Sequence, residues 1–188
     1  MENKKISVKT MTLCGLMAAI CCLLGPLSIP IGAIPVSLGV LAMYLCAYVL
    51  GPIKGVIACI VYLLLGAVGL PVFSGFEGGL QKLTGPTGGY LIGFIFLVLI
   101  SGFFIDKFPV NKWYMHVIGM VLGLLVCYCF GTLYFMKLMN MDLIPSLSAC
   151  VIPFLPFDAA KIAISTIIGC QLKTVLIKAN LIPAYQAN

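Results

Sequence analysis

Charged residues are so sparse along this chain that the intervals between them set out its elements. Between Lys9 and Lys54 there is no Asp, Glu, Lys, Arg or His. A membrane-crossing helix needs about 20 mostly apolar residues at about 1.5 Å rise each. The interval therefore holds two, and Pro26, Pro30, Gly32 and Pro35 supply the break between them. This predicts a first helix over residues 10–27, a second over 36–50, a turn at Gly51-Pro52, and a third over 54–70 ended by Pro71. After a glycine-rich connection, a fourth helix runs over 87–105. The charged loop 106–112, with Pro109, separates it from a fifth over 113–138. Pro145, Pro153 and Pro156 follow. Because proline fits a helix's first turn and not its interior, the sixth helix starts near Pro156 and ends near Lys173. The expected fold is an all-α membrane protein, six transmembrane helices in one bundle, with residues 1–188 forming a single domain and no internal repeat.

Composition agrees with that pattern. The chain is 62% hydrophobic and 9% charged, with a mean hydropathy of +1.19, whereas about a quarter of a soluble domain's residues are charged. The net charge of +6 comes from eleven lysines spread along the chain, with no arginine. No basic patch of the kind that binds nucleic acid is formed, so nucleic acid is set aside as a partner. The nine cysteines fall almost wholly in apolar segments, without a Cys-x-x-Cys pair or a histidine cluster. They read as small hydrophobes, and no metal site is expected. No Gly-Lys-Ser/Thr phosphate loop occurs, so the chain is not expected to use ATP by itself. The first apolar run ends in Pro26 and Pro30 rather than a small-x-small cleavage site, so it is expected to be a retained helix. Lys4, Lys5, Lys9, Lys54, Lys107, Lys112, Lys173 and Lys178 fall on the side of the N-terminus, and Lys82 and Lys137 on the other. The positive-inside rule makes both termini cytoplasmic. The long connections then face outward and cap a ligand pocket.

Candidate chemistry starts with Asp158 and Lys161, the two ionisable residues in the stretch 143–172. A charge at membrane depth costs about 2.5–3.5 kcal/mol on insertion scales and is kept where it faces a bundle interior or binds something. Asp158 in a helix's first turn is favoured by the dipole. Lys161 one turn in is disfavoured by the same dipole and asks for an anionic or strongly polar partner, which Asp158 three residues back supplies in part. A ligand-binding pair and a self-satisfied structural ion pair both remain open on this reading. The second signal is the outward segment 75–90, with six glycines in sixteen residues. Glycine permits close approach of backbone to a ligand, and Pro86-Thr87 can open the fourth helix with free N–H groups at the outer face. An enzyme is not expected: the lone histidine, His116, lies far from Asp158, and there are five carboxylates in all.

Gly85-Pro-Thr-Gly-Gly-Tyr90 after a glycine-rich loop, Leu70-Pro-Val-Phe73 before it, and Pro156-Phe-Asp-Ala-Ala-Lys161 opening the last helix together resemble the biotin-specific substrate-capture subunits of energy-coupling factor transporters. The similarity runs over nearly the whole chain. It implies a six-helix protein of the bacterial cytoplasmic membrane that binds biotin from outside, without a cofactor, and works with a transmembrane coupling protein and two ATPases.

On that resemblance, Asp158 accepts a ureido N–H of biotin and Lys161 donates to the ureido oxygen or the carboxylate, both as charge-assisted bonds. Glu77 is either a second acceptor or a solvated loop carboxylate. Phe73, Tyr90 and Phe157 are candidates to pack on the bicyclic ring. With no arginine, and Leu91 after Tyr90, the ligand's carboxylate cannot meet a guanidinium; Lys82 or amides near Thr87 are the substitutes. In the family an alanine-based motif on helix 1 meets the coupling protein. Here Gly15 and Ala19, with Ala18 and Cys22 adjacent, form a small-x-x-x-small surface for that contact, whereas Gly119 and Gly123 are expected to pack within the bundle. The alternative reading is a stand-alone proton-coupled transporter of small solutes, with Asp158 carrying the proton.

Overall fold

The computed structural model describes residues 8–30 and 34–182. Lys4, Lys5 and Gly32, which entered the orientation and turn expectations, lie outside the described residues. The chain is mainly helical: α1 (Val8–Leu24), a hairpin of β1 (Ser28–Ile29) and β2 (Val36–Ser37), α2 (Gly39–Ala67), α3 (Leu80–Thr84), α4 (Gly88–Lys107), α5 (Trp113–Met139), α6 (Leu143–Cys150) and α7 (Leu155–Lys178). Single 3-10 turns over Val110–Lys112 and Ile152–Phe154 lead into α5 and α7. Four helical stretches, Gly39–Ala67, Gly88–Lys107, Val110–Met139 and Leu143–Lys178, are long and apolar enough to cross a membrane. At 17 residues α1 is a shorter apolar helix, about 25 Å at 1.5 Å per residue.

The helices expected over 36–50 and 54–70 are two arms of α2, which folds back on itself. Gly51 takes φ 71° and ψ −168°, a conformation a side chain disfavours. Pro52 follows and has no N–H to give to a helix ladder. Past this point the second arm lies beside the first. Cys46 Sγ is 3.7 Å from the carbonyl oxygen of Gly55, nine residues on, where an unbroken helix would hold the two about 13 Å apart. α1 follows the second arm in the same direction. Its Cys14 Sγ meets the Lys54 carbonyl, and a Cβ at Gly25, just beyond its end, would lie 2.6 Å from the Tyr62 hydroxyl.

α4 and α5 pack antiparallel through glycine: Gly89 against Tyr134, Gly93 against Cys127 and Gly119 against Phe104. A Cβ at Gly123 would lie 2.9 Å from the Leu97 carbonyl oxygen, so the missing side chains let the two backbones meet, as helices in lipid require for close contact. α7 closes the bundle. Gly169 rests on the Tyr48 ring, and Lys173 Nζ donates to the Ile105 carbonyl at 2.8 Å and to Asp106 Oδ1 at 2.9 Å. One end of the bundle thus gathers Thr10, Gly51, Lys54, Asp106, Lys173 and Ile182 around a single cleft. The hairpin, the glycine-rich connection and α6 gather at the other.

Three connections read as loops carry structure. The helix 1–2 connection pairs Ser28 with Ser37 and Ile29 with Val36. The glycine-rich connection holds α3. Residues 143–150 form α6, where Pro145 sits in the first turn and costs no hydrogen bond, and where Ser146 and Ser148 donate back to the carbonyls of Asp142 and Ile144. α7 also outruns its expected end by five residues, to Lys178. Lys173 looked like a helix terminus because it is charged, but it is buried and satisfied by Ile105 and Asp106.

Candidate functional site

α7 begins at Leu155 with Pro156 in its first turn, which places Asp158 where the helix dipole favours a carboxylate. Lys161 follows one turn later on the same face. Both are buried, at 2% and 6% exposed. Lys161 Nζ donates to Asp158 Oδ1 at 2.7 Å, and from α5 the Tyr128 hydroxyl donates to Oδ2 at 2.5 Å. The three groups line a cavity of about 70 Å³. Val40 of α2, Tyr90, Leu91 and Phe94 of α4, Leu124 and Cys127 of α5, and Phe154 of the turn before α7 give it aromatic and aliphatic walls. Ser37, Ser74 and Thr87 supply hydroxyls.

The donor and acceptor inventory defines what such a site can hold. A carboxylate offers about four lone-pair positions and an ammonium three protons. The contacts with Lys161 and Tyr128 leave Asp158 able to accept further N–H groups, and leave Lys161 protons to donate. The set suits a small neutral group that carries N–H donors beside a carbonyl acceptor, attached to an apolar body that fills the aromatic walls.

Of the residues singled out from sequence, Asp158, Lys161, Tyr90 and Thr87 come together around this cavity. Tyr90 is fixed there by hydrogen bonds of its hydroxyl with Thr132 Oγ1 (3.2 Å) and the Cys150 carbonyl (3.5 Å). Phe73 does not line it. Its ring is fully buried beneath the glycine-rich connection, packed on Gly66 and edge-on to Tyr62 at 5.6 Å, so it anchors the loop. Phe157 is 39% exposed and does not line the cavity, because successive helix residues point about 100° apart and its neighbour Asp158 faces inward. Glu77 is exposed and paired with Lys82 at 2.9 Å. It lines a separate, more open cleft that shares Pro35 and Ser74 with the main cavity.

Tyr128, Phe94 and Phe154 escaped the sequence reading. For Tyr128 a signal existed: a hydroxyl in the middle of an apolar span must find a hydrogen-bond partner, and a lone buried carboxylate is the obvious one. On α1 the expected surface divides. Gly15 and Ala19 are exposed, and a Cβ at Gly15 would meet none of the described residues within 4 Å. Ala18 belongs to the core at 3% exposed, and Cys22 is half-buried.

Comparison with known proteins decides the family. The model of the BioY family matches residues 1–178. The chain belongs to the BioY family. It is 40% identical over 147 residues to the biotin transporter BioY of Thermotoga maritima, covering 78% of this chain and 85% of that protein. To the biotin transporter BioY2 of Lactococcus lactis subsp. cremoris it is 37% identical over 183 residues, covering 96% and 97%. Among solved structures, the crystal structure of the S-component for biotin from an ECF-type ABC transporter superposes with a TM-score of 0.82 at 31% identity, over 93% of this chain and 94% of that one. With transporter relatives of this kind and four helices able to span a bilayer, this BioY-family chain is a multi-pass protein of the cell membrane.

Proposed function

We propose that this protein captures biotin at the outer side of the membrane and takes it up as the substrate-binding subunit of an ATP-driven energy-coupling factor transporter. The observation that carries the reading is the buried Asp158–Lys161–Tyr128 set at a cavity whose other walls are mainly aromatic and aliphatic, with hydroxyls from Ser37, Ser74 and Thr87. Biotin's ureido ring presents two N–H donors and a carbonyl, Asp158 takes one N–H, and Lys161 donates to the ureido oxygen. Tyr90, Phe94 and Phe154 enclose the thioether ring. Such charge-assisted bonds, made away from water, are roughly twice as strong as neutral ones.

The two arms of α2 count as separate crossings, which with α1, α4, α5 and α7 makes six. The end that gathers Lys54, Asp106 and Lys173, flanked by Lys9, Lys107, Lys112 and Lys178, is the cytoplasmic one by the positive-inside rule, with the start of α1 and the end of α7 on that side. Gly15 and Ala19, exposed on α1, offer a transmembrane coupling protein a place for close helix contact, and two ATPases supply the energy. Titration calorimetry of the purified protein with biotin, thiamine and riboflavin tests the substrate: heat with biotin alone is expected, and equal binding of thiamine or riboflavin would defeat the assignment.

A further inference from the structure

The cleft beside the main cavity holds a charge that the ureido site does not use. Lys82 of α3 is the cation that lines it among the described residues. Its side chain is only 14% exposed, while that of its partner Glu77 is 60% exposed. The loop that presents Glu77 is pinned from below: Phe73 N–H donates to the Glu77 carbonyl at 2.9 Å, and Gly79 N–H to the Gly66 carbonyl at 2.7 Å. Cleft and cavity share Pro35 and Ser74. Thr87, which lines the cavity, also donates from its hydroxyl to the Lys82 carbonyl at 3.5 Å, so the lysine's backbone adjoins the cavity wall.

Resting on the biotin reading above, we propose that Lys82 binds the carboxylate at the end of the ligand's tail, and that Glu77 is the internal carboxylate the ligand displaces. The polar head of the ligand occupies the Asp158 end of the cavity, and a flexible tail leads out past Ser74 into the cleft. The exchange is favourable for a physical reason. A largely exposed carboxylate contributes little to a surface pair, so Glu77 swings into water at small cost. The lysine, its side chain only 14% exposed, keeps an anionic partner throughout. Lys82 thereby sets specificity for a free acid over its neutral derivatives, a task that no arginine in this chain can take.

Calorimetry with biotin and with biotinamide, on the purified wild-type protein and on Lys82→Met, Lys82→Arg and Glu77→Gln, separates the possibilities. Wild type should bind biotin about tenfold or more tighter than biotinamide, as the loss of a charge-assisted bond implies. Lys82→Met should erase that preference by weakening biotin alone, and Lys82→Arg should restore most of it. Glu77→Gln should tighten biotin severalfold and leave biotinamide unchanged. Retained biotinamide binding by Lys82→Met is the evidence that the variant is folded. Equal weakening of both ligands, or no change in either, would overturn the role of Lys82. A wild-type protein that binds neither ligand would overturn the biotin reading instead.

Discussion

On the proposed reading, Asp158 sits at the junction of two energetic demands, since it is held in a low-dielectric interior and would still have to accept bonds from the ligand. Lys161 and Tyr128 meet the first demand with one donor on each carboxylate oxygen. Breaking a buried pair by removing one partner is worse than removing both, because the survivor stays charged without compensation. Lys161→Met alone is therefore expected to cost about 3–5 kcal/mol of stability, while Asp158→Asn/Lys161→Met recovers much of that and still fails to bind biotin. Thermal unfolding in detergent beside calorimetry reads the two effects separately. A double variant no more stable than the single one would show that the pair is not coupled. Tyr128→Phe removes one hydrogen bond to a charged group, worth about 1.5–3 kcal/mol. Because that bond is made within the protein itself, the expected result is a thermal stability lowered by about that amount, with the fold retained because the ring still packs in the α5 wall. An unchanged melting temperature would mean that the hydroxyl does not help to hold Asp158.

Elements are shaped by breaks as much as by apolar runs, and Gly51 is the sharpest break. Its positive φ is disfavoured for a side chain, and any Cβ there would also run into the Asp106 carboxylate that Lys173 holds. Gly51→Val is expected to lower the melting temperature by several degrees and the folded yield with it, through strain of about 1–3 kcal/mol and loss of the Asp106–Lys173 contact. Gly69→Val serves as the comparison: its φ is also positive, at 113°, but a Cβ there meets no described residue within 4 Å, so a larger loss at Gly51 reports the crowding at Asp106. The main helices were legible because lipid forces about 20 apolar residues between charges and because Pro52, Pro71, Pro109 and Pro156 mark their limits. α6 and α3 were not, since at eight and five residues they leave no long apolar run to detect. In the site, Asp158 and Lys161 stood out because a charge in an apolar segment is rare. Phe94 and Phe154 did not, because in a chain with eleven phenylalanines an aromatic that lines a cavity has the same sequence signature as one that faces lipid. Phe73 and Phe157 lie beside Pro71 and Asp158 in sequence, but nearness in sequence does not fix the direction of a side chain.

For the molecule as a whole, the ligand cavity and the proposed docking face are carried by different surfaces, and that separation makes the transport assignment testable. The inward face of α1 is Met17, Ala18 and Cys21, all buried against the bundle. The outward face includes Gly15 and Ala19 together with the exposed Met11, Leu16 and Leu23. None of these residues lines the cavity around Asp158. Because a Cβ at Gly15 would touch no described residue within 4 Å and Ala19 is exposed, Gly15→Leu/Ala19→Leu should enlarge the surface that another helix approaches. Small residues matter at such contacts because they let backbones come close enough for dispersion and weak hydrogen bonds to act. The double variant is thus expected to keep its biotin affinity within about twofold, inside the range of a surface change that touches no ligand contact, while it no longer copurifies with the coupling protein and ATPases. Ala18→Leu is the converse probe: at 3% exposed it should overpack the core at a cost of about 1–3 kcal/mol and impair ligand binding as well. Uptake in cells that express the double variant then distinguishes the two modes of transport. A subunit that depends on its partners loses uptake along with copurification, whereas a protein that moves its substrate alone on a proton gradient retains it, and retained uptake would remove the ATPases from the mechanism.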